Sequence, residues 1–315
     1  MFQAERLLFY YCVSPVHMGA GTAAGVIDNP IQREVHTKHP VFAGSGIKGA
    51  VRHRCSGHME KNDVTAIFGP ERNASDRAGA VTFSDAQLVL FPIRSLKGGF
   101  VYGTSPIALA RLRRMVRNLK ASWQAPPPIE AGRCLISNAG LLTNGKLVLE
   151  TFEFSTAGDI SNAISEWLAD HCLPTGNEYE FFRSKIKTDL VILSDEEFSH
   201  FVENATAVEP HVRISNETGT AEAQGLFYTE NLPPEAVLAG HLMMSPERRS
   251  AEGRKNGSQG IPRDGEDLLK LLLKQFEGAP LQVGGDATTG RGLVVIQSAE
   301  EAEKQKEAEK KGEQP

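Results

Sequence analysis

Apolar residues come in short bursts along this chain, and their spacing separates strands from helices. Residues 5–14, ERLLFYYCVS, form an aromatic and aliphatic run of strand length. A glycine-rich stretch without helical period follows to Pro40. Ser45 to about Gly57 reads as a helix with Ser45 as its N-cap, and Asn62–Phe68 as a short one closed by Gly69-Pro70. Ala80–Ile93 alternates as a strand. Ser105-Pro106, a cap followed by proline at the first helical position, opens a helix through ALARLRRMVRNL. After the rigid Pro126-Pro127-Pro128, Lys146–Phe154 alternates again. Residues 159–206 are acidic and mostly helical, with a capped start at Ser194. Two short strand-like runs, His211–Ile214 and Gly225–Glu230, flank SNETGTAEAQ and read as a hairpin or protruding loop. Ala236–Met243 is a buried strand, Gly265–Glu277 an amphipathic helix, and 280–283 and 292–297 short strands around a glycine loop. Residues 245–263 lack apolar periodicity and read as a mobile loop. No internal repeat is present. The irregular alternation of strands and helices favours an α+β fold over a doubly wound parallel sheet.

The 315 residues give a prior of one or two domains. With 40% hydrophobic and 23% charged residues the composition is that of an ordinary globular protein. No apolar run reaches the roughly 20 residues of a membrane span, and the first residues lack a signal-peptide pattern. The four cysteines are far apart with no C-x-x-C pair, which argues against a disulfide framework and a cysteine-zinc site. These features predict a cytoplasmic protein.

The net charge of −5 argues weakly against a nucleic-acid partner, but the charge is segregated. Residues 32–61 hold six basic residues against two acidic ones, and 86–129 hold seven against none. Residues 150–209 hold thirteen acidic residues against three basic ones. Locally basic surfaces, not the mean, bind phosphate.

Gly44-Ser-Gly-Ile-Lys-Gly49 matches the dinucleotide-binding G-x-G-x-x-G literally. It follows forty residues of irregular chain and no βαβ unit follows it, so a nicotinamide-dependent oxidoreductase is a poor reading. Glycines opening a helix still offer backbone N–H groups and a positive dipole end to an anion. Gly44, Ser45 and Gly46 with Lys48 and Arg52 on one face therefore suit a phosphodiester backbone, and tight-turn geometry alone is the plainer explanation. The loop Gly284-Gly285 to Gly292, with Arg291, offers a second site of the same kind. Asp28, before Asn29-Pro30, is a lone carboxylate of the type that most often shapes a turn. His17 is a lone histidine at the end of the first strand. The chain has no G-x-S-x-G, H-E-x-x-H or Walker A sequence and no clustered metal-ligand motif.

Several stretches, in order, resemble one family: VHMGAG (16–21), IDNPIQRE (27–34), PVFAGSGIKGAVR (40–52), IFGP (67–70), VTFSDA (81–86), LFPIRSL (90–96), ETGTA (217–221), GLFYTENLP (225–233) and the glycine loop 284–292. The sequence resembles the repeated backbone subunit of the type III-B (Cmr) CRISPR effector complex, in the superfamily of repeat-associated mysterious proteins. The resemblance implies an α+β fold: a ferredoxin-like, RRM-like palm from about 1–150 and 234–298, a helical insertion at about 155–207, and a protruding β-hairpin thumb at about 208–233. A single domain would span 1–298, with 299–315 a charged, disordered tail. Copies would stack along a CRISPR guide RNA beside other subunits of the complex, away from any membrane. Each thumb would kink the guide–target duplex, and Asp28 would cleave the target RNA, with His17 as a helper. The resemblance also implies Gly44, Ser45, Gly46, Lys48, Arg52, Thr218, Thr220, Gly284, Gly285 and Arg291 as RNA contacts. Asp28 would either take the 2′-hydroxyl proton or hold a weakly bound divalent metal, Mg2+ or Mn2+, and no organic cofactor is implied. Gly46 stands where many members have serine, and Asn29 where a hydrophobic residue is commoner. A non-cleaving RNA-binding subunit and a CRISPR RNA-processing endonuclease using His17 remain alternatives.

Overall fold

The computed structural model describes residues 2–21, 26–71, 77–116, 119, 121–248 and 262–300. Its first strand, β1 (Ala4–Cys12), is buried on both faces. Leu8, Tyr10 and Cys12 enter one hydrophobic cluster and Leu7, Phe9 and Tyr11 a second on the opposite side. This two-sided burial is why the run is continuously apolar instead of alternating.

The chain continues through β2 (Val41–Phe42), α1 (Gly44–Ser56), α2 (Lys61–Phe68), β3 (Val81–Phe83), β4 (Ala86–Arg94), β5 (Phe100–Thr104) and α3 (Pro106–Met115). Then come β6 (Arg133–Ile136), β7 (Lys146–Leu149), β8 (Phe152–Asp159), α4 (Asn162–Cys172), α5 (Glu180–Thr188), β9 (Leu190–Leu193) and α6 (Asp195–Asn204). The last elements are β10 (Ala207–Ile214), β11 (Ala221–Asn231), β12 (Val237–Met244), α7 (Gly265–Leu273), β13 (Pro280–Gln282) and β14 (Leu293–Ser298).

Strand order within the large sheet runs β13-β14-β1-β12-β4-β5-β9-β6-β8-β7. Its centre, β14-β1-β12-β4, is antiparallel between neighbours. With α1 following β1 and α7 following β12, both buried in the same cluster, this is the ferredoxin-like βαββαβ arrangement. Everything from β5 to β11 is inserted between its second and third strands. The inserted strands β5 to β9 widen the same sheet, while α3, α4 and α5 cover its other face. The acidic segment expected to be mostly helical thus also carries β9, a four-residue strand too short and too uniformly buried to show a period.

The expected strand 80–93 is broken at Ser84-Asp85 into β3 and β4, which pair with different parts of β12. The hairpin strands are longer than their apolar runs, and β10 and β11 form a separate two-stranded sheet. One face of that hairpin is exposed and apolar: Val208, Val212, Ile214, Leu226 and Tyr228. The ends of the 245–263 loop are pinned. Ser245 N–H donates to the Ala80 carbonyl at 3.0 Å, and Arg263 pairs with Asp63 at 2.6 Å and Glu247 at 3.3 Å. Residues 249–261 of that loop lie outside the described residues. Ala299 is buried in the second cluster, so the charged tail begins after it; 301–315 lie outside the described residues. All four cysteines are free and buried. Among the described residues no helix is long and apolar enough to cross a membrane.

Candidate active site

The segment between β1 and β2 runs along the base of the hairpin and is held there by backbone pairing. Val16 bridges Leu232 antiparallel, and Asn29 bridges Thr229 in parallel. The Asn29 N–H donates to the Tyr228 carbonyl at 3.0 Å, and the Glu230 N–H to the Asn29 carbonyl at 2.9 Å. The Asp28 stretch is therefore an added strand on β11, which a sequence period cannot reveal because it pairs across 200 residues of chain.

Asp28 is exposed, and its Oδ2 accepts the Tyr228 backbone N–H at 2.8 Å. Among the described residues nothing donates to Oδ1. His17 hangs on the same strand: its Nδ1 lies 2.7 Å from the Glu230 carbonyl. A carbonyl only accepts, so Nδ1 carries the proton and Nε2 of the neutral ring is left as the base. Residues 228 and 230 are about 7 Å apart along a strand, so the two sequence-predicted residues occupy one edge of the thumb base.

Beneath them lies Glu230, which sequence reasoning missed. It is 3% exposed, and Oε1 accepts from Arg33 Nη2 at 2.5 Å and Thr206 Oγ1 at 2.8 Å. Its Oε2 accepts the Ile31 N–H at 3.1 Å. A buried charge is tolerated when paired and hydrogen-bonded in this way. The only hint in the sequence is a lone glutamate ending an apolar run. Glu34 meets Arg111 of α3 in a two-pronged ion pair, at 2.7 and 2.5 Å. Burial alone would raise the Glu34 carboxyl, but the Arg111 guanidinium and the Thr37 hydroxyl outweigh it and hold it below the usual range.

The C-terminal glycine loop joins this cluster. The Gly285 N–H donates to the His17 carbonyl at 2.8 Å, and the Gly292 N–H to the Pro15 carbonyl at 2.7 Å. Gly284 has φ +82°, and a Cβ there would lie 2.3 Å from the His17 carbonyl oxygen. Arg291 is ion-paired with Glu209 of β10, so it fastens the loop to the thumb and is not a free phosphate ligand.

The other predicted contacts lie elsewhere. Gly44-Ser-Gly-Ile-Lys-Gly49 is the start of α1 itself and not a loop before it. Ala43, not Ser45, is the N-cap, without a side-chain bond. The helix begins early because Gly44 fits where a Cβ would sit 2.3 Å from the Phe83 carbonyl, and its N–H donates to Asp85 at 2.8 Å. One amide offered to an anion is thus already taken by a carboxylate at the β3–β4 break. A Cβ on Gly46 would press on Met18 Sδ at 3.1 Å. Lys48 Nζ donates to the Val81 carbonyl at 3.1 Å and Arg52 Nη2 to the Gly69 carbonyl at 3.2 Å. Burial and the neighbouring Arg52 and Arg248 lower the Lys48 ammonium. Each cation keeps further donors, and Ser45 beside them is exposed. Thr218 and Thr220 bond each other at 2.8 Å at the hairpin tip, roughly 20 Å beyond the base.

Among the described residues no group of three His, Cys, Asp or Glu is placed to hold a metal ion. Asp28 offers one outward oxygen, which does not make a resident cation site, since Mg2+ bound this way keeps water and ligand oxygens for most of its shell.

Residues 9–295 match the RAMP superfamily. The chain is 31% identical over 294 residues to the CRISPR system Cmr endoribonuclease Cmr4 of Pyrococcus furiosus, a match covering 92% of this chain and 94% of that protein. The crystal structure of oligomeric Cmr4 from Pyrococcus furiosus is similar with a TM-score of 0.69 at 26% identity, covering 94% of this chain and 97% of that one. A chain of the type III-B Cmr-beta complex bound to cognate target RNA shares the fold, with a TM-score of 0.68 at 16% identity over 96% of this chain and 99% of that one. The ferredoxin-like palm, its hairpin and a match over nearly the whole described chain agree: this protein belongs to the RAMP superfamily.

Proposed function

We propose that this protein is the repeated backbone subunit of a type III-B CRISPR effector complex, and that it cleaves guide-paired target RNA at the base of its thumb. Copies stack on one guide RNA, beside the complex's other subunits. The observation that carries this reading is the placement of an exposed Asp28 carboxylate, tied to the Tyr228 backbone, beside a hairpin whose outer face is apolar. An apolar two-stranded wedge can displace a nucleotide from a duplex, and a displaced ribose can turn its 2′-OH onto its own phosphorus.

The 2′-oxygen attacks phosphorus in line, the bond to the 5′-oxygen breaks, and a 2′,3′-cyclic phosphate and a 5′-hydroxyl result. Strand geometry supplies much of the acceleration by fixing that alignment. Asp28 Oδ1 accepts the 2′-hydroxyl proton, and a proton passed through His17 Nε2 reaches the leaving oxygen. A divalent ion from solution would be held by RNA oxygens. Lys48, Arg52 and the first turn of α1 grip the guide backbone without reading bases, and guide pairing supplies sequence specificity.

Asp28→Ala in the assembled complex tests this. Cleavage is expected to fall by about 100-fold or more with RNA retained, since general-base groups contribute on that order. Cleavage at the wild-type rate would leave a non-cleaving RNA-binding subunit. The tautomer of His17 favours one second reading, a repeat-RNA processing nuclease. That enzyme would cut repeat RNA as the free subunit and would ignore EDTA.

A further inference from the structure

We propose that Arg111, on α3, is a positioning residue for the Asp28 carboxylate and acts through Glu34. The inference rests on Asp28 being the cleaving residue. Asp28 lies in a stretch gripped from two sides. On one side its own Oδ2 and the backbone of Asn29 are bonded to the hairpin strand β11. That side is tied to the thumb. On the other side, six residues along, Glu34 is bonded to Arg111, which belongs to the body of the molecule.

The Glu34 end is rigid. Arg111 holds both carboxylate oxygens with both terminal nitrogens, a geometry lysine cannot reproduce. Thr37 Oγ1 adds a bond to Oε2 at 2.5 Å. The backbone closes on itself there, with the Glu34 N–H donating to the His39 carbonyl and the Lys38 N–H to the Glu34 carbonyl, both at 2.9 Å. The helix that carries Arg111 is also fixed. Its N-cap is Ser105, the Ile107 N–H donates to Asp195 at 2.9 Å, and Leu109 and Leu112 are buried. A continuous path therefore runs from the second core cluster through Arg111 and Glu34 to Asp28.

Arg111 is not built as an RNA contact. Its side chain is 15% exposed and its terminal nitrogens face a carboxylate that is 11% exposed. Without the guanidinium, Glu34 is a largely buried carboxylate left with the Thr37 hydroxyl and the exposed His36, and it is expected to turn outward. The stretch then keeps its bonds to the hairpin and, at Gln32 and Arg33, to Met18, Val41 and Val202, but loses its tie to α3. A misplacement of about 1 Å in a reacting group can cost about 100-fold in rate, so Asp28 needs the second anchor when the thumb is loaded.

Two measurements test this. The first is amide hydrogen exchange at Tyr228 in the free subunit, because that N–H reports the Asp28 bond without any cleavage. Arg111→Ala is expected to speed exchange at Tyr228 by about tenfold, with β1 amides unchanged. The second is single-turnover cleavage in the assembled complex, expected to slow by about tenfold or more while RNA affinity stays within about twofold. Arg111→Lys should fall between the two. Unchanged protection at Tyr228 overturns the proposal, and so does a loss of RNA affinity with a shallower salt dependence. Asp28→Ala, run alongside, separates the readings. If it cleaves normally the cleavage assignment fails, while the exchange result still decides whether Arg111 braces the loop. Should Arg111→Ala not fold, Arg111→Lys and Glu34→Gln carry the same two measurements.

Discussion

His39 lies 3% exposed, with the Phe198 ring set edge-on against it and the Ser199 hydroxyl 3.2 Å from Nε2. Burial depresses its imidazole to about 4, and the nearby Glu34 carboxylate only partly offsets this. The native ring stays neutral where the unfolded ring already takes a proton. The unfolded state therefore binds more protons between about pH 6.5 and 4, and stability falls as pH drops through that window. Urea unfolding at pH 7.5 and 5.0 is expected to show a loss of about 2 kcal/mol from this residue, absent in His39→Gln. An equal pH dependence in the variant would mean other groups set it. Gly284 makes a second residue-scale case. Alanine there meets both a left-handed backbone and the His17 carbonyl. Gly284→Ala should cost roughly 1–3 kcal/mol and slow cleavage by shifting His17, read by thermal unfolding and a cleavage assay together. A normal melting temperature with normal cleavage would show that the loop yields easily.

At the scale of elements, the thumb is separable in a way the palm is not. β10 and β11 form their own two-stranded sheet, and only the base of β11 takes a further pairing, from Asn29. Replacing residues 212–226 with a two-residue Asn-Gly turn should leave the unfolding temperature within a few degrees and abolish target cleavage. Retained cleavage at the usual spacing would remove the wedge from the mechanism. The hairpin was legible as two apolar runs around SNETGTAEAQ, and the capped starts of α3 and α6 were legible from Ser105-Pro106 and Ser194. The strand-like 27–34 stretch was not, because its pairing with β11 spans 200 residues and its three isolated bridges, at Asn29, Ile31 and Arg33, leave no alternating pattern. The same reason hid Glu230. Its role comes from four groups that meet only in the fold. The glycines of 44–49 were legible as a helix opening, but the N-cap falls on Ala43 and not on Ser45. What they serve is close packing of a helix start against the Phe83 carbonyl and Met18. Arg111 was counted as part of a basic run, and only its distance to Glu34 shows that the charge is already spent.

For the whole molecule, the ferredoxin-like core sets how charge can be distributed. The basic helix α1 and the helices α4 and α5 belong to different layers: α1 packs in the first cluster with the acidic α6, and α4 and α5 cover the opposite face. A net charge of −5 is therefore no measure of what α1 meets. Near that helix, Lys48 and Arg52 each spend one donor on a backbone carbonyl, which fixes the cations without neutralising them. Cations held this way suit the evenly spaced charges of a phosphodiester chain and carry no information about base identity. Lys48→Gln should then weaken guide RNA binding by a similar factor for every guide sequence. It should also reduce the slope of log affinity against log salt by about 0.7 per copy on a single strand. Binding titrations from low to moderate salt with two unrelated guides measure both quantities at once. A loss confined to one guide, or an unchanged salt slope, would mean that Lys48 serves only the Val81 carbonyl and that the guide lies on another face.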